Sequence, residues 1–318
     1  MIRLLLLSLL SMGCQTVRTV AVKQMAPVFV ESGDELQKSR SWDQFKAATP
    51  ANLQFAEVLL TQDPENSDFL GSLTKGFTGY ALAINDTEYL DDALADRTQS
   101  RHMATGIDNL GKALRYGLRF MALHDITYER LVGGSKTDSI DEILDEELDF
   151  EDKIHFETAF YLGAAWMMYA NYQKDNMQIL TQIPIAYGLI DWACKHKPDF
   201  QNGLCPTFEA IYHMARPPIL GGKPDLGKKI LVDARKKYKD NLAIPLMYIQ
   251  WYLLPRGDGA EFARVKAEMK PAIIKWQKNI YLPGARDPDT LDTAYLNLFN
   301  AMAVKRLGIL EKYQEDHF

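Results

Sequence analysis

The fold is decided by two adjoining stretches, Leu60-Thr61-Gln62-Asp63-Pro64-Glu65-Asn66 and Ser67-Asp68-Phe69-Leu70-Gly71-Ser72-Leu73. Before them, Leu53, Ala56, Leu59 and Leu60 recur at helical spacing, and Pro50 suits the first turn of that helix. Asp63-Pro64-Glu65-Asn66 breaks the pattern, and Asn66 or Ser67 can cap a new helix by accepting a backbone N–H. That helix carries Phe69, Leu70, Leu73, Phe77, Tyr80 and Ala81 on one broad face. A third runs from about Asp96 to Leu123, with Met103, Ile107, Leu110, Leu114, Leu118 and Met121 every three or four residues. Residues 133–152, opened by Gly133-Gly134, interrupt the series, and the acidic stretch 138–152 within them reads as a solvated helix face or loop. Helices are then predicted at about 153–174, 176–196, 200–214, 224–238, 243–254, 258–279 and 289–314. No sustained period-2 alternation predicts strands, so the class is all-α.

Many helices joined by short connections suggest stacked hairpins. The 60–66 junction resembles the joint between tetratricopeptide (TPR) repeats, and Lys195-His196-Lys197-Pro198-Asp199-Phe200 repeats the idea. Small residues inside helices, such as Gly76, Gly79 and Gly163-Ala164-Ala165, let neighbours approach closely. No fixed 34-residue period aligns. The architecture expected is TPR-like, with helical hairpins forming a superhelix or ring.

The N-terminus has different chemistry. Met1-Ile2-Arg3 leads into the short apolar run Leu4 to Leu10, then Ser11-Met12-Gly13-Cys14. One positive charge before a run of about 7 apolar residues is signal-peptide architecture, and a membrane-spanning helix needs about 20. Gly13-Cys14 stands where a bacterial lipobox puts its small residue and its lipidated cysteine, with Ser11 where Leu is commoner. An ordinary cleaved signal and a misassigned start are the rival readings. Residues 1–13 are therefore expected to be a lipoprotein signal peptide, 14–41 an aperiodic tether and 42–318 the helical domain. Lipid on Cys14 would hold a periplasmic protein to a membrane surface. Gln15, in place of Asp, favours the outer membrane where lipoproteins are sorted by that rule.

Several function classes lack support. A formal net charge of −6 argues against a nucleic-acid partner. The histidines form no i,i+4 ligand pair, and the acidic stretch lacks the glycine of a calcium loop, so neither a metal nor a cofactor is expected. There is no nucleophile elbow or phosphate loop, and no catalytic residue is assigned. A hydrolase on this scaffold would need a buried carboxylate near a groove, for which Glu157 and Glu209 are the nearest candidates. Cys194 and Cys205, eleven residues apart, could pair in an exported protein or be two small buried hydrophobes. Ala215-Arg216-Pro217-Pro218-Ile219-Leu220-Gly221-Gly222 is either a rigid connection or a shaped loop at a ligand path or interface, since two prolines stiffen it and two glycines permit positive φ.

From about 45 to 315 the chain resembles the T components of TPR-associated TRAP transporters, the TatT lipoproteins. The resemblance is carried by Ala48-Thr49-Pro50-Ala51-Asn52-Leu53, Asp63-Pro64-Glu65-Asn66, Gly76-Phe77-Thr78-Gly79-Tyr80-Ala81, Tyr161-Leu162-Gly163-Ala164-Ala165-Trp166 and Arg216-Pro217-Pro218-Ile219-Leu220-Gly221-Gly222, in that order and spacing. It implies a lipid-anchored, non-enzymatic periplasmic protein that forms homotrimers. It also implies that each protomer is a ring of helices pierced by a pore and binds a periplasmic solute-binding protein. The implied role is to deliver or gate a small organic ligand, an apolar one included. Gly76, Gly79, Tyr80, Trp166, Arg216, Pro217, Pro218, Gly221 and Gly222 are placed near that groove or pore. The alternative function is a generic TPR-type envelope lipoprotein acting as a protein-interaction scaffold.

Overall fold

Side-chain caps start several helices, at Asn66 as the sequence suggests and also at Ser41, Ser100 and Asp152. Ser41 Oγ accepts from Gln44 N at 3.1 Å, Asn66 Oδ1 from Phe69 N at 3.0 Å, and Ser100 Oγ from Met103 N at 3.2 Å. Asp152 Oδ1 accepts from Ile154 N at 2.8 Å. The computed structural model describes residues 2–137, 139–278 and 293–318. Asp138 and the predicted helical residues 279 and 289–292 lie outside it, as does the Cys14 side chain. The longer helices are α1 Ile2–Gln37, α2 Trp42–Leu60, α3 Ser67–Tyr80, α4 Asp86–Leu94, α5 Arg101–Leu123, α6 Tyr128–Thr137, α7 Ile140–Glu147 and α8 Lys153–Tyr172. After the short α9 Met177–Leu180 come α10 Ile183–His196, α11 Leu204–Ala215, α12 Pro224–Lys237, α13 Ala243–Tyr248, α14 Gly259–Lys278 and α15 Asn297–Lys312. The described residues contain no strand, so the class is all-α.

Three local readings change. Pro50 lies inside α2 instead of opening it, because Ser41 caps the helix nine residues earlier in the chain. A proline strips the carbonyl four residues before it of its helical partner. Here that carbonyl, of Lys46, accepts from the Tyr80 hydroxyl at 3.4 Å. Residues 133–152, read as an interruption of the helical series, are helical at the end of α6 and in α7, and much of the acidic charge is paired: Asp141 with Lys195 at 2.9 Å, and Glu146 and Glu147 with Arg130 at 3.0 and 2.7 Å. Residues 15 to 37, read as aperiodic, belong to α1, which buries Val22 and Ala26 against the body.

Packing runs in succession around the molecule. α3 lies against α2, α5 and α8; α8 lies against α10, and α11, α12 and α13 follow in order. α15 meets α13 on one side and α1, α2 and α4 on the other, so the succession closes on itself. Glycine permits close approach: a Cβ at Gly163 of α8 would lie 2.6 Å from the Ala186 carbonyl of α10. A disulfide joins Cys194 of α10 to Cys205 of α11, with Cα atoms 5.5 Å apart. Among the described residues no helix is long and apolar enough to cross a membrane.

Candidate functional site

Among the described residues, two cavities, partly open to solvent, lie within the closed succession. The larger, about 570 Å³, lies among α1, α2, α3, α8 and α15, with Phe29, Leu53, Phe160 and Met302 in its wall. The smaller, about 150 Å³, lies among α8, α11, α13 and α15. They share the side chains of Leu82, Leu204, Phe208, Phe299 and Met302, so a thin apolar partition separates them. The larger volume is within the usual range for a small-molecule pocket, and the mostly apolar lining favours apolar cargo.

One wall of the larger cavity is polar. Lys75 interrupts the apolar face of α3 and is buried. Its Nζ lies 2.8 Å from Glu157 Oε2 and 2.8 Å from Asp34 Oδ1. Burial works against its charge, but Glu157, Tyr161 and Asp34 outweigh that and raise its pKa above the ordinary lysine value. Lys75 therefore keeps its proton and has no lone pair for nucleophilic chemistry. Burial also pushes the Tyr161 hydroxyl up to about 12, so it stays O–H. That oxygen accepts from Gln37 Nε2 and Gln201 Nε2, each at 3.0 Å. Among the described residues, the hydroxyls of Thr49 and Ser72, both in the cavity lining, have no hydrogen-bond partner. Glu157, the carboxylate a hydrolase reading requires, is thus half of an ion pair. Glu209 lies apart from it, near the Cys194–Cys205 bridge, where burial and then Asp191 raise its pKa.

The partition depends on Arg306, which is 1% exposed. Residues Ala81–Asn85 and Ile249–Leu253 each form a turn of π-helix, a feature frequent at functional sites. Arg306 Nη2 donates to the Leu82 carbonyl in the first turn, and Nη1 donates to Gln250 Oε1 in the second at 3.2 Å. Nη1 also pairs with Asp86 Oδ2 at 2.8 Å, and Nε donates to Thr87 Oγ1 at 2.8 Å. Asp86 in turn accepts from the Tyr172 hydroxyl at 3.1 Å. Among the described residues no three His, Cys, Asp or Glu side chains converge to hold a metal ion.

The residues assigned to the groove from sequence fall into three places. Gly76 and Gly79 line the larger cavity and Arg216 the smaller. Tyr80 covers the Lys46 carbonyl, and Trp166 donates to Gln182 Oε1 at 3.0 Å and stacks on Tyr128 with centroids 6.2 Å apart; neither lines a cavity. Pro217, Pro218, Gly221 and Gly222 form the turn after α11, in which Gly222 is buried and the other three are exposed, and none of the four lines either cavity. There Gly221 adopts φ +82°, and a Cβ on Gly222 would lie 1.8 Å from the Arg216 carbonyl oxygen. Arg216 stacks 3.5 Å over the Tyr212 ring, which stacks at 3.8 Å on Tyr187. This rigid turn presents Ile219 at 91% exposure. Sequence reasoning missed Lys75, Tyr161 and Arg306 as site residues. The available signal was a cation within an apolar helical face, at Lys75 in α3 and at Arg306 in α15. A family model described as TRAP transporter T-component matches residues 43–271. No curated protein matches the chain.

Proposed function

The chain belongs to the TRAP transporter T-component family, and from that premise we propose that it is the lipid-anchored periplasmic member of its transporter, handing a small apolar organic ligand to or from a solute-binding protein. Its family is that of a transporter component, not of an enzyme. The observation that carries the ligand reading is the pair of cavities meeting at Leu82, Phe208, Phe299 and Met302. Two apolar chambers divided by a few side chains make a path that a small rearrangement joins. Residues 1–13 serve as the signal peptide, Cys14 carries the lipid, 14–41 link it to 42–318 with their helical part in α1 packed on the body, and the working unit is a homotrimer. The rigid Arg216–Gly222 turn offers Ile219 to a partner beside the smaller cavity.

A crosslinked pull-down of the full-length protein from its native envelope, with partners identified by mass spectrometry, tests this. A TRAP-type solute-binding protein as dominant partner supports the transporter role. Envelope-assembly proteins in its place move the reading to a general scaffold. Organic extraction of the purified protein tests the ligand separately: a co-purifying small molecule that is reduced on Leu53→Trp, which projects a larger ring into the larger cavity, is expected.

A further inference from the structure

The outer wall of the larger cavity is one helix thick where α1 crosses it. Val28 lines the cavity and is also 61% exposed to solvent. Val22 and Ala26 bury fully, whereas no side chain from Phe29 to Gln37 does. The apolar hold on this stretch centres on Phe29, whose ring lies 5.8 Å from Phe55 and 5.4 Å from Phe69. Val30 and Leu36 also pack, half-buried, against the core, and the rest of the hold is polar. Asp34 bridges Lys75, at 2.8 Å, and Lys153, and those two cations hold its carboxyl below the ordinary range although burial opposes them. Gln37 reaches the Tyr161 hydroxyl.

Both ends of the stretch are marked. Pro27 removes a backbone donor from α1 immediately before it, which is where a helix bends. After it the chain is pinned: Asn297 Nδ2 donates to the Lys38 carbonyl at 3.0 Å, and Arg40 donates to the Trp276 and Gln277 carbonyls at 3.0 and 2.9 Å. At its middle, a Cβ on Gly33 would meet nothing within 4 Å, so the helix backbone there does not press on the body. We propose that residues 28–37 are a displaceable wall of the larger cavity, latched by Asp34 to Lys75 and Lys153, and that ligand passes where this wall lifts. Lifting strands no charge: Asp34 goes to water, and Lys75 keeps Glu157, which stays on α8. The ligand half of this inference rests on the cavity reading above; the mobility of the wall does not.

Hydrogen exchange and probe kinetics on the full-length protein in detergent test it. Asp34→Asn keeps the shape and removes the latch charge. Glu57→Gln breaks a different ion pair, with Lys112 at 2.9 Å, and serves as control. Amides of 28–37 are expected to exchange roughly tenfold faster in Asp34→Asn, a ratio equivalent to about 1.4 kcal/mol. α8 should be unchanged, and the control should resemble the parent. Association of the neutral fluorophore N-phenyl-1-naphthylamine should quicken by a similar factor. Unchanged exchange at 28–37, or acceleration spread equally over α3 and α8, overturns the proposal. A fluorophore that binds neither protein overturns the ligand path and the cavity reading with it, and the exchange data then decide the mobile wall alone.

Discussion

Replacing Arg306 with methionine probes the partition most directly. Methionine follows much of the arginine stem, so the change removes charge and donors while leaving little void. Breaking a buried ion pair by removing one partner costs about 3–5 kcal/mol, mostly because the other charge is stranded. Asp86 is 24% exposed and keeps its bond from Tyr172, so water can reach it and the lower figure applies. The Leu82 carbonyl loses a charged donor as well, adding about 1 kcal/mol. The expected loss is therefore about 4 kcal/mol, within the ~5–15 kcal/mol that a folded domain has. Urea unfolding followed by tryptophan fluorescence would read it as a lower midpoint at unchanged slope. Asp86→Asn should cost less alone, and the double variant should lose at least ~1 kcal/mol less than the sum of the two. A loss under 1 kcal/mol, or strict additivity with Asp86→Asn, would refute Arg306 as the pin between the two π-turns.

Three further outcomes are expected. Gly163→Ala should destabilise by about 1–3 kcal/mol, because the new Cβ meets the Ala186 carbonyl at 2.6 Å; Gly79→Ala, with nothing within 4 Å, should gain up to ~1 kcal/mol from helix propensity, both read by thermal denaturation. Opening the Cys194–Cys205 bridge frees a loop closed over a separation of 11 residues, worth about 3 kcal/mol; reductant should lower the melting temperature by roughly 5 °C, and the untreated protein should show neither thiol on titration. Burial, and then the neighbouring His155 ring 4.4 Å away, hold the His124 pKa below its ordinary 6.5, so as pH falls below that value the unfolded chain binds the proton first and stability drops; His124→Gln should flatten the stability–pH curve between about pH 7 and 5, and an unchanged slope would assign it to other groups.

Much of the architecture was legible before any coordinates. The apolar recurrences at Phe69, Leu70, Leu73 and Phe77 and at Leu110 and Met121 are the buried faces of α3 and α5, and Asn66 does cap α3. These features are set by neighbours three or four residues away, which is what periodicity reports. Errors fell where a distant group overrides the local rule. Pro50 sits inside a helix because Tyr80 supplies a donor to the carbonyl that the proline orphans. The acidic stretch is helical because Arg130 and Lys195 balance its charge.

The candidate site divides along the same line. Spacing marked Gly76 and Gly79 as places needing small side chains, and marked the stiff Arg216–Gly222 turn. It could not tell a wall of the cavity from a supporting contact, since both ask for the same residue types at the same intervals. Lys75, Asp34, Glu157 and Tyr161 come from three helices, and Arg306 reaches Leu82 across 224 positions of chain. Sequence by itself determined most of the helices from α2 onward, because hydrogen bonding and side-chain pattern along one helix are local, but not α1, whose residues 15–37 lack an apolar periodicity. Only tertiary structure decided where the cavities lie, which cations are paired and which helix forms the outer wall, because each depends on α15 returning to α1, α2 and α4.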